Sequence, residues 1–179
     1  MKVFSSVLAL AVAAVLLVPA SRADAQAAFA DTLCPEATQY VVALGKLTQS
    51  DTAQKVYDTA HATTNAYETC ATRHLTNGAI EPQLHYAYTR QASFSIIEAR
   101  SLVALNRVAD AKRVLQNSRR LASDVFDWRS DTNAKRPSNY HDAAKDIVDA
   151  ADAMLAKLSA TAAPAAASAA PAPASSPHR

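Results

Sequence analysis

Glycine is nearly absent from this chain: 179 residues contain two, Gly45 and Gly78. Glycine supplies the positive backbone angles and the close backbone approach on which tight hairpins and phosphate-cradling loops depend. Dinucleotide and phosphate-loop fingerprints need several glycines within a few positions of one another. Here the two stand 33 positions apart (45 to 78), so neither fingerprint exists. The chain also lacks GxSxG, HExxH and any metal-type cysteine cluster. No residue is marked as catalytic, and no cofactor is implied. A glycine-poor, alanine-rich sequence favours helix instead.

Apolar periodicity bears this out along the chain, and it predicts five helices. The first starts at Pro35, a good first-turn residue, with Val41, Leu44 and Leu47 on one face. Ser50 or Asp51 caps the second, with Gln54 completing a capping box. Its stripe is Ala53, Val56, Tyr57, Ala60, Thr64, Tyr67, Ala71 and Leu75, and Asn77-Gly78 forms a left-handed stop. A third helix runs from about Pro82 to Leu105. Its second half (Phe94, Ile96, Ile97, Ala99, Leu102, Val103, Leu105) is apolar almost all round, which requires neighbours on more than one side. The fourth carries Val108, Ala111, Leu115, Ser118, Ala122 and Val125 and ends near Arg129. Ser138 or Asn139 caps the fifth, with Tyr140, Ala143, Ile147, Ala151, Met154 and Leu158 facing inward. The fold class expected is all-α, a five-helix antiparallel hairpin bundle.

The beginning of the chain reads as an export signal. Met1 and Lys2 open it, Val3 to Val18 is apolar apart from Ser5 and Ser6, and Pro19 ends the run. Ala23-Asp24-Ala25 offers small residues where a signal peptidase reads, so cleavage is expected before Gln26, with a second option after Ala20. The unbroken core from Val7 to Val18 is shorter than the roughly 20 residues that cross a bilayer. No later segment is apolar enough to span a membrane, so no transmembrane segment is expected after cleavage. In an oxidising compartment two cysteines read as a disulfide, and Cys34 and Cys70 are each other's only candidates.

At the other end, residues from Ser159 onward are almost all Ala, Pro and Ser, with prolines at 164, 171, 173 and 177, ending in His178 and Arg179. Such composition cannot bury enough apolar surface to offset its ordering entropy. The expected organisation is a signal peptide over 1–25, a helical domain over 26–158 and a disordered tail over 159–179.

The stretch "LVALNRVADAKRVL" (102–115) is two apolar helical runs around a polar break at Asn106 and Arg107. With Ala99, Leu102, Ala111 and Leu115 it resembles the helical hairpin of a tetratricopeptide repeat, over about Ser95 to Ser123. Ser95, Glu98 and Ser123 depart from that pattern, which prefers tryptophan, leucine and proline there. Aligned on Gly45, the first hairpin puts Tyr57 and His61 at positions that prefer alanine and an aromatic. The resemblance implies a protein-binding scaffold.

Charge is uneven. Removing Lys2, Arg22 and Asp24 from totals of 18 basic and 16 acidic residues leaves 16 and 15, a net of +1. Between Arg100 and Arg136 the basic residues 100, 107, 112, 113, 119, 120, 129, 135 and 136 face only the acids 110, 124, 127 and 131. Lys112, Arg113, Arg119 and Arg120 form a candidate basic face on the fourth helix, suited to a protein or an anionic envelope component. Nucleic acid is not expected as a partner, given export and the lack of interleaved aromatics. Among the histidines, His85 stands four residues after Glu81, on one helix face, and the two are weak metal-ligand candidates. A pocket lined by some of Tyr57, His61, Tyr67, His85, Tyr86 and Tyr88 is the alternative, a periplasmic small-ligand or metal-binding bundle. The leading expectation is an exported, non-catalytic interaction or envelope-scaffold module, periplasmic or secreted.

Overall fold

A computed structural model describes residues 31–78, 82–130 and 136–167, with side chains described as far as residue 160. The proposed signal peptide and Glu81 lie outside the described residues. Five α-helices make up these regions: α1 (Thr38–Gly45), α2 (Ala53–Thr76), α3 (Gln83–Ala104), α4 (Val108–Asp127) and α5 (His141–Ala167). The fold is all-α, and no strand forms among the described residues. A one-residue bridge between Arg129 and Pro137 closes the α4–α5 connection.

Pro35 does not begin an α-helix. It opens a 3-10 turn, Pro35–Ala37, from which α1 follows directly. The cap of α2 is likewise shifted: Thr52 occupies it, and its hydroxyl accepts the Lys55 N–H at 3.2 Å. Asp51 instead holds the preceding turn, accepting the Thr48 N–H at 2.7 Å and the Lys55 ammonium at 2.6 Å. Gln54 makes no capping box and donates to Asp58. The stop after α2 is as the sequence suggests, with Gly78 at φ 71°.

The break at Asn106 has a specific geometry. Asn106 adopts φ 59° and donates to the Val103 carbonyl at 3.0 Å, while Arg107 donates to Leu102 at 2.8 Å. These two bonds are the paired closure of a helix C-terminus through a left-handed residue, a conformation asparagine tolerates better than most. The chain reverses there and α4 returns along α3.

Successive long helices meet in opposite senses. His61 of α2 reaches Glu98 of α3, while Tyr67, further along α2, meets Tyr86, earlier in α3. In α4 and α5, Arg119 meets Asp152 and Phe126 meets His141. Helix α3 packs against α2, α4 and α5, as its all-round apolar half requires. It supplies Leu84, Ala87 and Phe94 to a cluster with Tyr67 and the cysteines, Ala92 to one with Leu121, Val125 and Ala144, and Ile96, Ala99 and Leu102 to one with Ala111, Leu115 and Ala151. Burying each of the leucines stabilises the fold by about 1.5–3 kcal/mol. Small residues let the helices approach closely enough for Ser118 of α4 to donate to the Ala92 carbonyl of α3 at 2.8 Å.

Further expectations are corrected. Leu75 is 53% exposed, and the buried face of α2 is carried by Thr63, Ala66, Cys70 and His74 along with Ala60, Tyr67 and Ala71. In α5 Ala144 is buried and Ala143 exposed, because in so alanine-rich a helix the period alone does not choose the face. Helix α4 ends at Asp127. Helix α5 also continues past Leu158 to Ala167, into the segment expected to be tail, as the helix propensity of alanine favours.

Candidate functional site

The first described residues are fastened to the C-terminal part of α2. Cys34 and Cys70 form a disulfide with Cα atoms 5.5 Å apart, and both residues are fully buried. Arg73 donates to the Leu33 carbonyl at 2.8 Å and pairs with Glu36 at 3.2 Å. His74 donates through Nε2 to the same carbonyl at 3.1 Å.

A second fastening lies beside it and centres on Asp31, a residue that sequence reading passed over. Its Oδ2 accepts from the hydroxyls of Tyr67 (2.7 Å) and Tyr86 (2.6 Å). Its Oδ1 accepts the N–H groups of Leu33 (3.2 Å) and Cys34 (2.9 Å). Arg90 lies over the rings of Tyr67 and Phe94, with its guanidinium carbon 5.8 and 5.1 Å from their centroids. Burial, reinforced by the hydrogen bonds to Asp31, raises the phenol of Tyr67 above the ordinary tyrosine range and that of Tyr86 well above it. Both therefore stay neutral donors at any ordinary pH. The carboxylate, two phenols and guanidinium thus bind one another and hold the segment in place.

The six residues considered as one pocket lining are separated. Tyr67 and Tyr86 belong to the Asp31 cluster. Tyr57 stacks on His61 nearer the start of α2, where the His61 Nδ1 lies 2.9 Å from the Glu98 carboxylate and Asn65 contacts Nε2 at 3.2 Å. Glu98 is 4% exposed, so this is a buried carboxylate with a half-exposed imidazole as its partner. His85 is buried on α3, hydrogen-bonded to Ser138 at 3.0 Å and edge-on to Trp128. Tyr88 packs at the junction of two core clusters. His85 is thus engaged by the α4–α5 connection. Its suggested co-ligand Glu81 is outside the described residues.

The basic face of α4 is largely offset by acids. Arg113 pairs with Asp110, which also holds Arg107 at 2.8 Å. Arg119 pairs with Asp152 of α5 at 2.6 Å, and Arg120 with Asp124 at 3.2 Å. Lys112 is half-buried. Each of the three arginines thus carries a carboxylate partner, and the field that would draw an anionic surface is correspondingly weakened.

A different surface presents a concavity. Asn65, Glu68, Thr69, Thr72, Arg73, Thr76 and Asn77 follow one another at steps of three and one along α2 and its cap, forming one outward stripe. They border an open recess of ≈ 580 Å³. The Thr69 and Thr76 hydroxyls donate to the carbonyls four residues before them, which leaves their oxygen lone pairs facing out as acceptors. Glu68 supplies a carboxylate, and the amides of Asn65 and Asn77 supply both donors and acceptors. This stripe carries no nucleophile with an adjacent base. Its side chains can donate and accept hydrogen bonds, on a helix joined to the preceding segment by the disulfide.

Comparison with known protein families, with curated proteins and with solved structures returned no match to this chain.

Proposed function

We propose that the chain is an exported, non-catalytic binding module that holds a polypeptide partner against the outer stripe of α2. The observation that carries this reading is the recess bordered by Asn65, Glu68, Thr69, Thr72, Arg73, Thr76 and Asn77. It offers convergent hydrogen-bonding groups on a rigid helix, as an extended peptide backbone with its alternating donors and acceptors requires. Two further observations support it. The reactive-type side chains are spent internally: Asp31 on two phenols, His74 on Leu33, His85 on Ser138 and Glu98 on His61. A disulfide between Cys34 and Cys70 suits an oxidising compartment, in keeping with the export signal read at residues 1–25. No helix among the described residues is long and apolar enough to cross a membrane.

The test is capture from envelope extract by the immobilised chain and two variants. One carries Asn65→Arg and Thr72→Arg in the recess, and the other reverses the α4 face with Arg119→Glu and Arg120→Glu. Partners retained by the wild type and the α4 variant but lost from the recess variant support the reading. Loss confined to the α4 variant would transfer the interaction to the basic face, and equal capture by all three would dismiss the recess.

A further inference from the structure

We infer that Cys34, Cys70 and His74 form an alternative metal centre, taking a zinc-class divalent ion when the disulfide between them is reduced. The sulfur atoms of both cysteines and an imidazole nitrogen of His74 all lie within 4.8 Å of one another, and all three residues are buried. Two thiolates and one imidazole are a donor set that borderline-soft ions of the zinc class favour, with a fourth position left for water. Once the S–S bond is broken, tetrahedral bonds of about 2.3 Å would place the sulfurs about 3.8 Å apart. The two Cα atoms, 5.5 Å apart, already stand close enough for that.

The surroundings favour ligation as well as proximity. His74 donates Nε2–H to the Leu33 carbonyl at 3.1 Å, which leaves the Nδ1 lone pair for a metal. A ligating histidine commonly has its other ring nitrogen fixed in this manner by a carbonyl. The Arg73 guanidinium lies 3.6 Å from the Cys70 sulfur, where its charge offsets that of a thiolate, and it is exposed to solvent on its other side. The centre thus lies one side chain below the surface. The chemistry balances with a dithiol as reductant: the dithiol gives up two electrons and two protons and becomes a disulfide, while the Cys34–Cys70 bond becomes two thiols. Binding one M²⁺ then releases those two protons. The same three residues therefore clip the N-terminal segment to α2 in both redox states, through sulfur in one and metal in the other.

The test uses the whole chain, oxidised and reduced under argon, titrated with Zn²⁺ and in parallel with Co²⁺ as a spectroscopic probe. The expected result is one ion bound per reduced chain, with thiolate-to-cobalt charge-transfer absorption and tetrahedral ligand-field bands, and no such site in the oxidised chain. His74→Gln keeps a donor for the Leu33 carbonyl but removes the imidazole lone pair, and should weaken Zn²⁺ binding about tenfold or more. Cys34→Ser should abolish the charge-transfer spectrum of a two-thiolate site. Far-UV circular dichroism reads the fold throughout. If reduction alone unfolds the chain, zinc should restore helicity in the wild type and not in His74→Gln. No stoichiometric binding by the reduced wild type, or equal affinity in His74→Gln, would overturn the proposal.

Discussion

Replacing Asp31 by alanine should destabilise the protein far more than loss of one half-buried side chain near the start of the described chain would suggest. The carboxylate accepts four hydrogen bonds, two from the Tyr67 and Tyr86 hydroxyls and two from the N–H groups of Leu33 and Cys34. The N–H of half-buried Leu33 can regain water and adds little, while that of buried Cys34 adds to the loss, so the phenols alone set a lower bound. The phenols matter more, since Tyr67 is 0% exposed and its hydroxyl would be left without its carboxylate acceptor. A hydrogen bond to a charged group contributes about 1.5–3 kcal/mol net, so two at the lower end give about 3 kcal/mol. At roughly 2–4 °C per kcal/mol for a chain of this size, Tm should fall by roughly 6–12 °C. Urea denaturation with the disulfide intact, followed by far-UV circular dichroism, gives the free energy directly. A double-mutant cycle with Tyr86→Phe isolates the contact and should return a coupling of about 1–2 kcal/mol. A cost below about 0.5 kcal/mol for Asp31→Ala, or a coupling indistinguishable from zero, would refute the reasoning, because then solvent already satisfies those hydroxyls.

Three further outcomes follow from the same packing. Tyr67 and Tyr86 have folded pKa values raised above the unfolded value near 10, so their contribution is fully present below pH 10 and is lost as pH rises beyond it, by up to about 1.4 kcal/mol per pH unit for each; urea midpoints across pH 9–11 check the slope, and Tyr86→Phe should leave the number of phenolates formed near pH 10 unchanged. Glu98→Leu should be neutral or stabilising, since a buried carboxylate gives way to an apolar side chain and half-exposed His61 is resolvated, whereas Glu98→Ala adds a cavity and should cost about 1–3 kcal/mol; thermal melts of the pair decide it. Gly45 has open space where a Cβ would go and closes α1, so Gly45→Ala should stabilise by about 0.4–1 kcal/mol, while Gly78→Ala at φ 71° should destabilise by about 1 kcal/mol, both read from denaturation midpoints.

What the sequence disclosed followed the strength of its local pattern. The α4 stripe of Ala111, Leu115, Ser118, Ala122 and Val125 is buried as its spacing indicates, because large charged residues on the opposite face leave no competing register. The pairing of Cys34 with Cys70 followed from compartment and elimination. In α2 the expected Ala60, Thr64, Tyr67 and Ala71 are buried, but Thr63 and His74 look no more apolar than their exposed neighbours, and so the full width of the face could not be read. The Asp31 cluster joins residues 36 and 55 positions apart and leaves no local signature. Glu98 did leave one. A carboxylate within an otherwise apolar helical half implies a hydrogen-bonding partner, and a search for a polar side chain on the facing side of α2 would have found His61. The recess on α2 was missed because its threonines and asparagines read as ordinary solvated surface. Counting charges from Arg100 to Arg136 omits Asp152, which lies on α5 and pairs with Arg119 of the basic face.

The fastening of residues 31–37 to α2 supports the rigid stripe, the shielded phenols and the redox-dependent centre alike. Its most direct measurement is mass spectrometry of a non-reduced digest of the air-oxidised chain, with thiols alkylated under denaturing conditions beforehand. The expected result is one linked pair of peptides containing Cys34 and Cys70, with no alkylated cysteine. Recovery of both cysteines in alkylated form, or of disulfides joining separate chains, would contradict it.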